Sequence, residues 1–125
     1  MRFTDDADTA SGYLIQGYEP GAIQIAGRRY HESLLIAPRR LVPGWGPDEA
    51  SELTADHIAE LLGVEPRLIL LGTGRLQVFP PPAVLAVPRQ QGIGIEVMDT
   101  GAACRTYNIL VAEGRDVVAG LLMIR

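Results

Sequence analysis

The chain has no lysine. All eleven of its basic residues are arginine, which excludes a lysine Schiff base, a lysine general base and a P-loop phosphate site. Coding bias is a sufficient reason for this usage; selection for bidentate contacts is the alternative. There is one cysteine, Cys104, so no internal disulfide can form, and a reducing compartment fits. The two histidines, His31 and His57, fall in no metal-ligand spacing with Cys104. None of Ser11, Ser33 and Ser51 lies in a G-x-S-x-G elbow. The net charge of −4 lacks the clustered basic excess that phosphate neutralisation needs, so no nucleic-acid partner is expected. No apolar run approaches the ~20 residues that cross a bilayer. The opening MRFTDDADTA has neither the apolar stretch of a signal peptide nor the arginine-rich composition of a transit peptide. A cytoplasmic protein without membrane insertion, cofactor or metal is the expectation.

What is present is enough to build a core. The chain has 125 residues, 47% of them hydrophobic and 21% charged, which reads as a single domain over 1–125. After a polar start (1–12), Tyr13–Tyr18, Ala22–Ala26 and Arg29–Ala37 read as an antiparallel meander. Glu19-Pro20-Gly21 and Gly27-Arg28 supply its turns. A Pro- and Gly-rich loop spans 38–52. Thr54 suits a helix N-cap, with Leu53 and Ile58 as a hydrophobic staple and Gly63 at the C′ position.

The second half changes rhythm. Leu68–Leu71 is a short apolar run, as in a strand covered on both faces. The Gly72-Thr73-Gly74 loop follows, then Phe79-Pro80-Pro81-Pro82, a helix over about 83–91 and a second buried strand, Ile93–Met98. Asp99-Thr100 caps a further helix with the stripe Ala103, Tyr107, Leu110 and Val111, and Val117–Ile124 is a last strand. The order β-α-β-α-β with short connections favours parallel strands joined by right-handed crossovers. Both loops then fall at the carboxyl ends of neighbouring strands, where open α/β sheets bind ligands.

Gly72-Thr73-Gly74 starts like a dinucleotide fingerprint, but Gln77 stands where the third glycine would be, and the following helix opens several residues too late to face a pyrophosphate. A tight turn or close backbone approach explains the glycines equally. Cys104 lies near a helix N-terminus, which can favour a thiolate, but it borders the apolar stripe, where a buried structural thiol is ordinary. Thr73, Thr100, Arg105 and Asn108 could line one crevice suited to a small anion or a partner's carboxylate. Equally, Arg105 and Asn108 could be a solvated face, with Tyr107 in the core.

The segments LLGTG (Leu70–Gly74), FPPP (Phe79–Pro82) and above all GIGIEVMDTGAACRTYNIL (Gly92–Leu110) resemble a family of small Mth-type domains that includes a mitochondrial complex I assembly factor. The resemblance runs from the first strand to the last. It implies an α/β, three-layer fold with a mixed central sheet and helices on one side, and action through protein partners, such as subunits of a membrane complex, with no catalytic mechanism. The positions it carries over are Gly72, Thr73, Gly74, Phe79, Pro80, Met98, Asp99, Thr100, Ala103, Arg105, Thr106, Tyr107 and Asn108. One departure is Pro88, which should kink or end a helix that is usually unbroken. The competing expectation is an enzyme or small-anion sensor using the crevice between 72–74 and 99–108.

Overall fold

The alternation of charged and apolar runs along this chain sorts its strands into two sheets. The computed structural model describes residues 12–125, so the polar start, apart from Gly12, lies outside the described residues. Strands β1 (Ile15–Glu19), β2 (Ala22–Ile25) and β3 (Arg28–Tyr30) form an antiparallel sheet in that order. The β2–β3 turn is Ala26-Gly27, one residue earlier than the sequence suggested. Both residues have positive φ, +50° and +78°, as a tight primed hairpin turn requires. Gly27 adopts this conformation freely, whereas Arg28 is better placed in the extended strand, opposite Ile25.

The expected third strand over 29–37 is in fact two. Strand β3 is polar and exposed, whereas β4 (Leu34–Ala37) is apolar and buried on both faces and belongs to the second sheet. The expected loop over 38–52 also holds a strand, β5 (Arg40–Pro43), which forms a hairpin with β4, and a 3₁₀ turn, Ala50–Glu52. Its proline sits on a sheet edge, where a missing N–H is tolerated.

Helix α1 (Ala55–Leu62) starts at Thr54, whose backbone N–H donates to His57 Nδ1 at 2.9 Å. His57 thus does the work of the usual acidic residue in a capping box. Gly63 keeps a right-handed conformation, and Glu65 carries the positive φ (+57°) that turns the chain away. Next come β6 (Leu68–Thr73), α2 (Pro82–Gln90), β7 (Gly94–Met98), α3 (Thr100–Ala112) and β8 (Val117–Leu122). Pro81 and Pro82 open α2; Pro88 falls in its last turn, and the helix ends two residues later.

The five-stranded sheet has the order β5-β4-β8-β6-β7, with β6 parallel to both β7 and β8, and β4 antiparallel to β8. It is therefore mixed. The crossover through α2 leads from β6 out to the edge strand β7. The crossover through α3 leads back across β6 to β8. Two right-handed crossovers in opposite directions place their helices on opposite faces. That corrects the expectation of helices on one side. Helices α1 and α2 cover one face through Ile58, Leu61, Val84 and Leu85. Helix α3 and the three-stranded sheet cover the other through Ala103, Tyr107, Val111, Ile15, Ile23 and Ile25. The result is three layers around two apolar cores.

Candidate functional site

The loops after β6 and β7 meet at the carboxyl end of the sheet, and Thr100 joins them. Asp99 is the N-cap of α3, its carboxylate accepting the Ala102 N–H at 2.9 Å. Thr100 is therefore the first helical residue and turns fully inward. Its hydroxyl accepts the Gly74 N–H (2.8 Å) and donates to the Leu122 carbonyl (2.6 Å), while its own N–H donates to the Gly74 carbonyl (2.9 Å). One side chain thus ties together the ends of β6 and β8 and the start of α3. Gly72 makes this approach possible: a Cβ there would lie 2.9 Å from the Thr100 Cα.

Thr73 is also buried and organises the loop that follows. Its hydroxyl donates to the Leu76 carbonyl at 2.6 Å, accepts the Val78 N–H at 2.9 Å and lies 3.2 Å from the Met98 carbonyl. With its polar groups drawn inward, the loop turns its apolar side chains outward. Leu76 is 59% exposed, Val78 43% and Phe79 63%, while Pro80 is buried and anchors the exit into α2. Gln77, between the apolar pair, donates from Nε2 to the Val97 carbonyl on β7 at 3.0 Å.

The remaining candidates face the three-stranded sheet. The Tyr107 hydroxyl donates to the Tyr13 carbonyl at 2.8 Å, and burial raises its phenol above the ordinary range. Asn108 donates to the Ile15 carbonyl (2.7 Å) and accepts the Ile15 N–H (2.9 Å). Arg105 is exposed, stacks over the Tyr18 ring at 5.9 Å and bonds its hydroxyl. Thr106 is half-buried on α3. Cys104 is fully buried. Desolvation pushes its thiol up to about 12, outweighing the opposing pull of the Arg105 charge. Burial thus disfavours the thiolate form of this residue.

The structure therefore brings together Gly72, Thr73, Gly74, Phe79, Pro80, Asp99 and Thr100, and sets Arg105, Tyr107 and Asn108 against the small sheet. Thr100 and Asn108 direct their hydrogen bonds to the chain itself and offer none to a crevice. Thr73 and Gly74 line a shallow pocket of about 240 Å³ with Asp48, Glu49, Leu76 and Arg125, and Arg125 pairs with Asp48 at 2.8 Å. Among the described residues no cluster of three His, Cys, Asp or Glu could hold a metal ion. No described helix is long and apolar enough to cross a membrane. Leu76 and Val78 were not singled out from the sequence, and Gln77 stood out only as the missing third glycine; three apolar residues in a loop bounded by Gly74 and Pro80 were the available signal.

Known proteins share this fold. The chain is 33% identical over 110 residues to the mouse protein named NADH dehydrogenase [ubiquinone] 1 alpha subcomplex assembly factor 3, covering 86% of this chain and 59% of that protein. The chain thus spans about three fifths of the length of that relative. It is 34% identical to a 13 kDa major membrane protein of Francisella tularensis, over 73% of this chain and 74% of that one. A crystal structure of a Bordetella parapertussis protein superposes with a TM-score of 0.84 at 37% identity, covering 89% of this chain and 95% of that chain. A solution structure from Bordetella pertussis, described as an Mth938-like domain, gives 0.82 at 30% identity, with 98% and 92% covered. The profile of the proteins of unknown function DUF498/DUF598 matches residues 15–122, and with that match the chain belongs to this family.

Proposed function

We propose that this chain is a non-catalytic protein-binding domain that helps assemble a multi-subunit membrane complex; its mammalian relative is named as an assembly factor of a NADH dehydrogenase subcomplex. The observation that carries this reading is the lip formed by Leu76, Val78 and Phe79. These are three large apolar side chains, exposed together on a loop that Thr73 and Thr100 hold in shape. A rigid exposed apolar cluster marks an interaction surface, since an ordinary surface scatters such residues singly. In this reading Gly72, Gly74 and Pro80 frame the lip, and Asp99 and Thr100 brace it from below. Arg105, Thr106, Tyr107 and Asn108 lie apart from the lip, on α3 against the small sheet, where Arg105 is exposed and bonded to Tyr18. The single cysteine and net charge of −4 suit work in a reducing cytoplasm.

The test is complementation. A strain of the host lacking this protein should accumulate less assembled respiratory complex on native gels. The wild-type chain should restore the complex, and the double variant Leu76→Asp with Phe79→Asp, folded by circular dichroism, should not. Full restoration by the double variant would overturn the reading.

A further inference from the structure

Sheet edges invite pairing with another chain, and folded proteins usually block them. Among the described residues, three of the four sheet edges are blocked. Strand β3 is three residues long and carries Arg28 and Arg29, both exposed. Strand β5 carries Arg40 and Pro43. Strand β1 is irregular between Ile15 and Gly17, and Asn108 makes both of its amide hydrogen bonds to Ile15.

Strand β7 differs. It lies at the edge of the five-stranded sheet, has no proline, and Glu96 is its one charged residue. Consecutive carbonyls of a strand point to opposite sides. The Met98 carbonyl lies on the β6 side, within 3.2 Å of the Thr73 hydroxyl, so the Val97 carbonyl points outward. The group that meets it is the Gln77 side-chain amide at 3.0 Å. A primary amide donating to an outward strand carbonyl does the work of a neighbouring strand's N–H. Gln77 is an exposed residue of the apolar lip, and it seals the edge with one partly buried bond, which an incoming backbone N–H can replace in kind.

We propose that β7 and the lip together form a strand-addition site, in which an extended segment of a partner protein displaces Gln77 and pairs with the outer edge of β7. This rests on the protein-binding reading above and names its mode. The partner's backbone would bond along Val97 and Ile95, and its apolar side chains would pack on Leu76, Val78 and Phe79. Glu96 is exposed on the face away from α2 and sets the charge preference: the cross-strand residue opposite it is Lys or Arg. The same residue disfavours a second copy of this chain. Two β7 strands paired antiparallel about their midpoint place Glu96 against Glu96, and like charges directly opposite are destabilising.

The probe is an end-blocked Val-Lys-Val-Lys-Val peptide at up to millimolar concentration, followed by amide chemical shifts of the full chain. The expected result is saturable shifts centred on Ile95 and Val97, and tighter binding to Gln77→Ala. Replacing the peptide's lysines by glutamate should weaken binding about fivefold, and Glu96→Lys should reverse that preference. Methylating alternate peptide nitrogens should weaken it about tenfold or more, since backbone N–H groups are then lost. Absence of shifts at β7, or equal binding of the methylated peptide, overturns strand addition. Such a result leaves the complementation test of the lip standing. A dimer of Gln77→Ala in sedimentation, with β7 amides protected and no peptide bound, overturns the proposal in favour of a second copy.

Discussion

Asn108 and Gln77 perform the same act on opposite sides of the molecule. Each places a side-chain amide where a strand would otherwise find a neighbour. Asn108 makes both possible bonds to Ile15 from within α3, the helix that packs on the sheet through Ala103, Tyr107 and Val111. Gln77 makes one bond, to Val97, from an exposed loop. The difference is one of surroundings. All three bonds are partly buried, but Asn108 makes a reciprocal pair from a packed helix, whereas Gln77 makes one bond from an exposed residue, so less is lost when it lets go. The α3 side is therefore closed for good, while the β7 edge is closed only until something better arrives.

The largest way to break this contrast is on the closed side. Thr100→Val should cost about 2–5 kcal/mol, because it leaves the buried Gly74 N–H and Leu122 carbonyl without the Thr100 hydroxyl. A fall in the urea midpoint with unchanged slope checks it; a shift of a few tenths would show that water replaces the hydroxyl.

Alkali should also open the α3 side first. Burial raises the Cys104 thiol from 9.0 to about 12, so the folded state holds its proton more tightly than the unfolded chain does. That stabilisation is complete below about pH 9 and is lost as pH rises toward 12, by a few kcal/mol. Tyr107 is shifted in the same direction. Thermal melts from pH 8 to 11 should fall more steeply for the wild type than for Cys104→Ala. Parallel profiles would mean that the thiol is not buried in solution.

The paired amides supply the sharpest and smallest comparison. Asn108→Ala should cost about 1–3 kcal/mol and speed hydrogen exchange at Ile15, whose N–H and carbonyl lose their partner. Gln77→Ala should cost at most about 0.5 kcal/mol, as is usual for an exposed position. Equal losses would erase the distinction between a permanent and a provisional seal.

Much of the second half was legible in the sequence. Leu68–Leu71, Ile93–Met98 and the stripe of α3 have unambiguous periodicity, and their strands and helices lie within a few residues of the expected places. The first half was less legible. The run from Arg29 to Ala37 changes sheets at His31–Ser33, and β5 hides among prolines. A chain pattern shows that a strand can form there, but not which sheet it joins. At the candidate site, the loops and their residues were visible, but the uses of Thr100 and Asn108 were not. Their partners are 22 to 93 residues away.

By itself, the absence of lysine, the lone cysteine and the separated histidines narrowed the chemistry, and the alternation of strand and helix patterns set the α/β order. These are properties of composition and local spacing, which a linear chain carries in full. The tertiary structure alone decided that the helices cover both faces, because that depends on the direction of each crossover. It also decided which polar side chains are consumed by the fold and which edge is left for a partner. Thr100 looks like a cap in the sequence and is a staple in the fold. Gln77 looks like a failed glycine motif and is a side-chain plug on the outer edge of β7. Hydrogen bonds between distant segments make that distinction, and they exist only once the sheet has closed.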